Sequence, residues 1–255
     1  MKRRQLIGYA GAGLITDIVT NFASHLKAEA QSSSLSVQWL GHTCFLFTGG
    51  GIKILVNPFQ RIGCTAGYRS PKVAADLVLI SSQLLDEGAV DGLPGKPKIV
   101  YAPGAYEFQD IKLQGIAIDH DRKGGRQFGI NTAWRWQQGG VNILHLGGAA
   151  APISTEQKIL MGRPDVALIP VGGSAKAYNA QEAKQVAEVL NPKLIIPTHY
   201  RTQAADAAVC NISPVDEFLT LMQGLKVSRS SSDSIIINSR NLPKNSEIQL
   251  FSYKF

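Results

Sequence analysis

Two glycine-rich stretches could bring backbone N–H groups to an anion. Arg122-Lys123-Gly124-Gly125-Arg126 follows His120 and adds three cationic side chains to exposed backbone donors. Gly172-Gly173-Ser174 stands before a helical pattern, where a phosphate can meet a helix start. The first stretch also has the composition of a solvated hairpin tip. Nucleophilic catalysis has no visible apparatus: there is no Gly-x-Ser-x-Gly elbow and no cysteine–histidine pair with recognisable nucleophile spacing. Metal chemistry has more material. The chain holds five histidines, His25, His42, His120, His145 and His199, and carboxylates at Asp86-Glu87 and on both sides of His120. Imidazole and carboxylate together suit zinc, iron or manganese.

The elements that must position these residues start with strands. Short apolar runs at 37–40, 43–48 and 52–57 read as an antiparallel meander, with Gly49-Gly50-Gly51 as a hairpin. Residues 76–80 form a continuous apolar run, as in a buried strand. Further strands are expected at 98–101, 111–118 (with a bulge at Gly115), 132–136, 141–146, 165–171 and 194–196. Thr132, Trp134 and Trp136 alternate with Ala133, Arg135 and Gln137, so the tryptophans share one face and belong to a core. Asn179 with Glu182 three residues on is a capping box for a helix through Leu190. Ser213-Pro214 opens a second helix to about Gln223, and two strands close the chain near 235–237 and 248–251. The pattern is one domain of mixed sheets covered by helices.

The 255 residues are 44% hydrophobic and 18% charged, which suffices to bury a core. The net charge of +7 is scattered, without a dense basic stripe, so no nucleic acid is expected as a partner. Cys44, Cys64 and Cys210 are too few for a disulfide framework, although one pair could form in an oxidising compartment. Cys44 lies in an apolar run and reads as a small buried hydrophobe.

The first thirty residues read as an address. Arg3-Arg4-Gln5-Leu6-Ile7 resembles a twin-arginine export signal, and Ala28-Glu29-Ala30 is a small-x-small cleavage pattern. The uncharged run from Gln5 to Thr16 has twelve residues, too few to span a bilayer as a helix. Expected are a signal peptide over 1–30, a spacer over 31–36 and one domain over 37–255. The mature chain would have no transmembrane span. It would lie in a periplasm, or in the thylakoid lumen of a photosynthetic bacterium, with the twin-arginine translocase as its partner during export. The alternative is a basic amphipathic N-terminal helix that stays attached.

Five segments in order resemble the metallo-β-lactamase superfamily, an α/β fold built as an αββα sandwich. They are Trp39-Leu40-Gly41-His42-Thr43 with Ile54-Leu55-Val56-Asn57-Pro58-Phe59, then Asp76-Leu77-Val78-Leu79-Ile80-Ser81, Ile143-Leu144-His145-Leu146-Gly147-Gly148, Ile169-Pro170-Val171-Gly172-Gly173 and Ile196-Pro197-Thr198-His199-Tyr200. The likeness is closest to a branch of small metal-dependent hydrolases. The resemblance implies a His-x-His-x-Asp-His metal loop, a later His, a bridging Asp and a final His. At these positions stand Ser82, Leu84, Asp86 and Glu87, then His120, Gly148 and His199. Three of seven ligands, Asp86, His120 and His199, therefore remain. An alkyl chain and a bare glycine hold no ion, so a two-metal site is not expected. Within this fold His42 and His145 are expected to bond backbone near strand ends.

Two functions follow. The favoured one is a non-catalytic scaffold, binding or assembly protein without a cofactor. It would meet an unidentified protein partner outside the cytoplasm, and Leu84, Leu85 and their neighbours would fill the cleft. The alternative is a metal-dependent hydrolase with an atypical mononuclear site, holding one Zn, Fe or Mn ion on Asp86, Glu87 and His199, with or without His120. A weaker third is anion binding by Arg122, Lys123 and Arg126.

Overall fold

The computed structural model describes residues 34–255. The expected export signal and the start of the spacer lie outside them. The first strand, β1 (Ser34–Gly41), begins inside the stretch expected as spacer. It is followed by β2 (Cys44–Gly49), β3 (Ile52–Val56), β4 (Leu77–Leu79) and β5 (Lys98–Val100). Next come β6 (Gly104–Phe108), β7 (Ile111–Asp119), β8 (Ile130–Gln138) and β9 (Val141–His145). The second half alternates: α1 (Thr155–Met161), β10 (Val166–Pro170), α2 (Ala180–Leu190), β11 (Leu194–Thr198) and α3 (Asp216–Leu221). Three strands finish the chain, β12 (Lys226–Arg229), β13 (Ser234–Asn238) and β14 (Glu247–Leu250).

The strands form two mixed sheets, one of six in the order β13-β1-β2-β3-β4-β5, the other of eight in the order β12-β14-β11-β10-β9-β8-β7-β6. With few helices, this is the expected α/β sandwich of two sheets. In β1 every second residue is buried, so Leu35, Val37 and Trp39 face the core while the intervening side chains stay part-exposed. Strands β10 and β11 are parallel and buried at every position. Their apolar side chains are covered on both faces, which is why the sequence there reads as unbroken runs. Trp134 and Trp136 do share the inner face. The Trp134 indole N–H donates to the Ile80 carbonyl across the sheets at 3.1 Å, and Trp136 meets Phe47 edge-on at 5.0 Å.

The capping box at the start of α2 forms as expected. Asn179 Oδ1 accepts from the Glu182 N–H at 2.9 Å, and Glu182 Oε2 accepts from the Asn179 N–H at 2.9 Å. Other local expectations give way to tertiary contacts. The third helix starts at Asp216, because the Ser213 N–H is drawn to the Gly172 carbonyl at 2.7 Å and is not part of a helix start. Gly115 makes no bulge: its register to β6 and β8 is unbroken, and a Cβ there would stand 2.9 Å from the Trp134 ring. Strands β6 and β12 and helix α1 were not expected. Helix α1 is short and capped by Ser154 and Gln157.

A disulfide joins Cys64, in the loop after β3, to Cys210, in the loop after β11, across 146 residues of sequence. Cys44 is free and buried. The odd cysteine count concealed this pair, because only the packing of two distant loops brings the thiols together. Closing so long a loop restricts the unfolded chain. Changing Cys64 to Ser should therefore lower unfolding free energy by about 2–5 kcal/mol, read from urea denaturation under oxidising conditions. The wild type should lose the same amount on reduction.

Candidate metal centre

The ends of several strands converge at one rim of the sandwich. His42 sits in the turn between β1 and β2, Ser82 to Glu87 follow β4, and His120 directly follows β7. Gly147-Gly148 follows β9, the 171–179 loop follows β10, and His199 directly follows β11. Four non-glycine residues of this rim hold left-handed backbone: His42 (φ 53°), Asn57 (φ 50°), Ser174 (φ 75°) and His199 (φ 50°). Such conformations cost energy and persist only where surrounding contacts enforce them. Asn57 shows how: its Oδ1 accepts from the Ser81 N–H at 2.8 Å and so anchors the loop that carries Asp86 and Glu87.

The four residues expected as ligands all lie along this rim, without three of them among the described residues closing on a common point. Glu87 Oε2 lies 3.5 Å from His120 Nε2 and accepts from the Ser82 hydroxyl at 3.1 Å. Asp86 is ion-paired with Lys176. The His42 and His199 rings stand 4.4 Å apart, centre to centre. A Cβ at Gly148 would come within 2.3 Å of His120 Nε2 and 2.7 Å of Glu87 Oε1. The Glu87 carboxylate thus occupies the room into which a side chain at 148 would grow. His42, Glu87, His120 and His199 are buried, while Asp86 and Lys176 keep some solvent access, with 21% and 19% of their side chains exposed. Leu85 is half exposed, so it does not fill the cleft as expected.

Several of these buried donors lack a well-formed hydrogen bond: both ring nitrogens of His42, Nδ1 of His199, Oε1 of Glu87 and both ring nitrogens of His120, whose Nε2 only faces Glu87 Oε2 at 3.5 Å. Buried polar atoms are normally paired, and orphans call for an explanation such as a bound ion. His42 was expected to bond backbone; its ring does not. His145 does: its Nε2 lies 3.0 Å from the Thr43 carbonyl, and Nδ1 accepts from the Gly147 N–H at 3.0 Å. Two members of the rim were missed from sequence. His42 was set aside as structural. Lys176 gave no signal except its place two residues after Gly172-Gly173-Ser174.

Burial dominates the electrostatics. It pushes the pKa of His42 and of His120 down to about 4, and that of His199 well below the usual value. Glu87 is pushed up to about 7, first by burial and then by the neighbouring Asp86 charge. Burial also acts to raise Asp86, but the Lys176 ammonium and His42 outweigh it and hold the carboxyl below its ordinary range.

The basic glycine loop does hold a carboxylate, but it is the chain's own. Asp121 accepts backbone N–H bonds from Lys123, Gly125, Gln127 and Phe128 at 2.7–3.1 Å. Arg122 pairs with Glu182 and donates to the carbonyls of Ser174 and Ala177, each at 2.8 Å. Arg126 donates to the Lys123 carbonyl at 2.9 Å. These contacts engage the guanidinium groups of Arg122 and Arg126 within the chain itself.

The beta-lactamase superfamily domain matches residues 36–199. The chain belongs to that superfamily. A UPF0173 protein of Pyrococcus furiosus is 27% identical over 192 residues, covering 66% of this chain and 84% of that protein. A UPF0173 metal-dependent hydrolase of Thermococcus onnurineus is 28% identical over 200 residues, covering 68% and 88%. Among solved structures, a candidate Zn-dependent hydrolase of the metallo-β-lactamase superfamily from Thermotoga maritima superposes with a TM-score of 0.67 at 30% identity, covering 85% of this chain and 98% of that one. These likenesses overturn the expectation of a non-catalytic scaffold and the lean away from an enzyme: relatives matched over most of their length are named hydrolases. The Thermococcus and Thermotoga proteins also count against the expectation of no cofactor, since their names carry a metal.

Neutral buried histidines tie stability to pH. His42, His120 and His145 all have folded values of about 4 against an ordinary 6.5. The unfolded chain therefore binds more protons between those values, and stability falls as pH drops through that window. His145 alone contributes a loss of about 3 kcal/mol across the window. Glu87 acts the other way between pH 7 and 4.5, because its folded value is raised, but the histidines outnumber it. The melting temperature should fall steadily from pH 6.5 to pH 4.5 in a calorimetric series; a flat profile would contradict neutral buried imidazoles.

Proposed function

We propose that this protein is a metal-dependent hydrolase that works with one divalent ion. The observation that carries the reading is the set of buried polar atoms without a well-formed hydrogen bond on His42, Glu87, His120 and His199. Their chemistry, imidazole with carboxylate, suits zinc, iron or manganese. Leu84 and Gly148, where the superfamily pattern has a histidine and a bridging aspartate, offer no donors, and Asp86 is already engaged by Lys176, so the set as it stands fits one ion. Among the described residues no three donors already enclose a common point. The ligands are gathered at the rim without being closed into a cage.

Glu87, His120 and His199 would hold the ion, with Asp86 beside them. When bound, such an ion supplies a Lewis acid and a more acidic water at neutral pH. The remaining work falls to side chains that can be followed here. Ser82 orients Glu87 through its hydroxyl. Burial keeps the imidazoles neutral, the form that ligates. Asp86 and Lys176 retain solvent access, so a substrate meets them first.

Export fits the same reading. The Cys64–Cys210 disulfide suits an oxidising compartment such as a periplasm, as does the twin-arginine pattern at the start of the chain. The translocase would then be a transient partner.

Zinc- or manganese-loaded protein should hydrolyse members of an ester, phosphodiester and lactone panel, with activity removed by chelator and restored by the ion. Asp86→Ala and His199→Ala should each lower the rate by roughly a hundredfold or more. Activity that survives both changes would dismiss this site as the seat of hydrolysis.

A further inference from the structure

We propose that the Lys176 ammonium is a built-in second cation, standing in for one of the two ions that the superfamily pattern employs and so limiting this site to one. The inference rests on the single-ion reading above and explains it from a residue that the family pattern does not include.

Lys176 pairs with Asp86, one of the residues placed among the possible ligands, and both side chains are largely withdrawn from water. Its ammonium therefore lies beside the carboxylate that the superfamily pattern assigns to an ion. A dication brought alongside would meet repulsion poorly screened in a buried site.

The ammonium is also held in place by a dedicated framework. The loop from Gly172 to Tyr178 is closed by the Gly173 N–H donating to the Tyr178 carbonyl at 2.8 Å, and Ser174 within it takes a left-handed backbone. Arg122 brackets Lys176 in sequence, donating to the carbonyls of Ser174 and Ala177. The same guanidinium is fixed by Glu182, the capping-box residue of α2. The Tyr178 N–H donates to the Ala149 carbonyl at 2.9 Å, which ties the loop to the turn carrying Gly148. Arg122 is thus a positioning residue for the loop that presents Lys176.

Two substitutions in the pattern also match. The carboxylate missing at Gly148 is supplied in the same space by Glu87. The positive charge beside Asp86 is supplied by Lys176. With one carboxylate relocated and one cation covalent, the rim needs a single ion from solution.

The test counts ions rather than turnover. Full-length protein is stripped with chelator and reloaded with zinc or manganese, and bound ions per chain are read by native mass spectrometry and elemental analysis. Wild type should bind at most one. Lys176→Met and Lys176→Gln should each bind one ion more than wild type, and Lys176→Arg, which keeps the charge, should match wild type. Two ions on the wild type would overturn the proposal even if no variant folded. So would neutral variants with an unchanged count, or an Arg variant that gains an ion. A wild type that binds no ion, with neutral variants that bind one, would refute the single-ion hydrolase and leave the role of Lys176 standing.

Discussion

The pairing of Lys176 with Asp86 sits at the mouth of a rim where His42, Glu87, His120 and His199 are sealed from water. A carboxylate and an ammonium cannot be withdrawn from solvent singly without large cost, so each makes the placement of the other tolerable. Around this pair lie imidazoles that burial keeps neutral and a glutamate whose proton affinity is raised. The polarity of the site and its accessible edge follow from where that one positive charge is held.

The fold supplies the place rather than the chemistry. Two sheets pack their apolar faces together, and their strands end on a common rim where loops are free to vary. Parallel β10 and β11 set Gly172 and His199 side by side, with the Gly172 N–H donating to the His199 carbonyl at 2.9 Å. A Cβ at Gly172 would lie 2.2 Å from that carbonyl, so only glycine lets the two strand ends approach this closely. Membership of the beta-lactamase superfamily accounts for this scaffold, and the side chains on the rim account for how this chain differs from the pattern.

The basic loop after His120 shows how a sequence signal can be right in kind and wrong in object. Glycines there do expose backbone N–H groups, and those groups do bind a carboxylate. The carboxylate is Asp121, immediately before the loop. Arg122, expected to face an external anion, instead clamps the carbonyls on either side of Lys176. Its neighbours in space are 52 and 55 residues away in sequence.

The sequence by itself determined what local rules govern. Alternation around Trp134 and Trp136 in β8, continuous apolar runs in β10, and the Asn179–Glu182 capping box depend on neighbours within a few residues, and each was legible. The presence of Asp86, Glu87, His120 and His199, and the absence of donors at Leu84 and Gly148, were equally plain. Tertiary structure alone decided the rest. It joined Cys64 to Cys210, left the His42 ring without a hydrogen bond, turned Glu87 into the space beside Gly148 and carried Lys176 ninety residues along the chain to Asp86. The reason is physical: the energy of a charge or a thiol depends on what lies across space in a poorly screened interior, and sequence spacing does not record that distance.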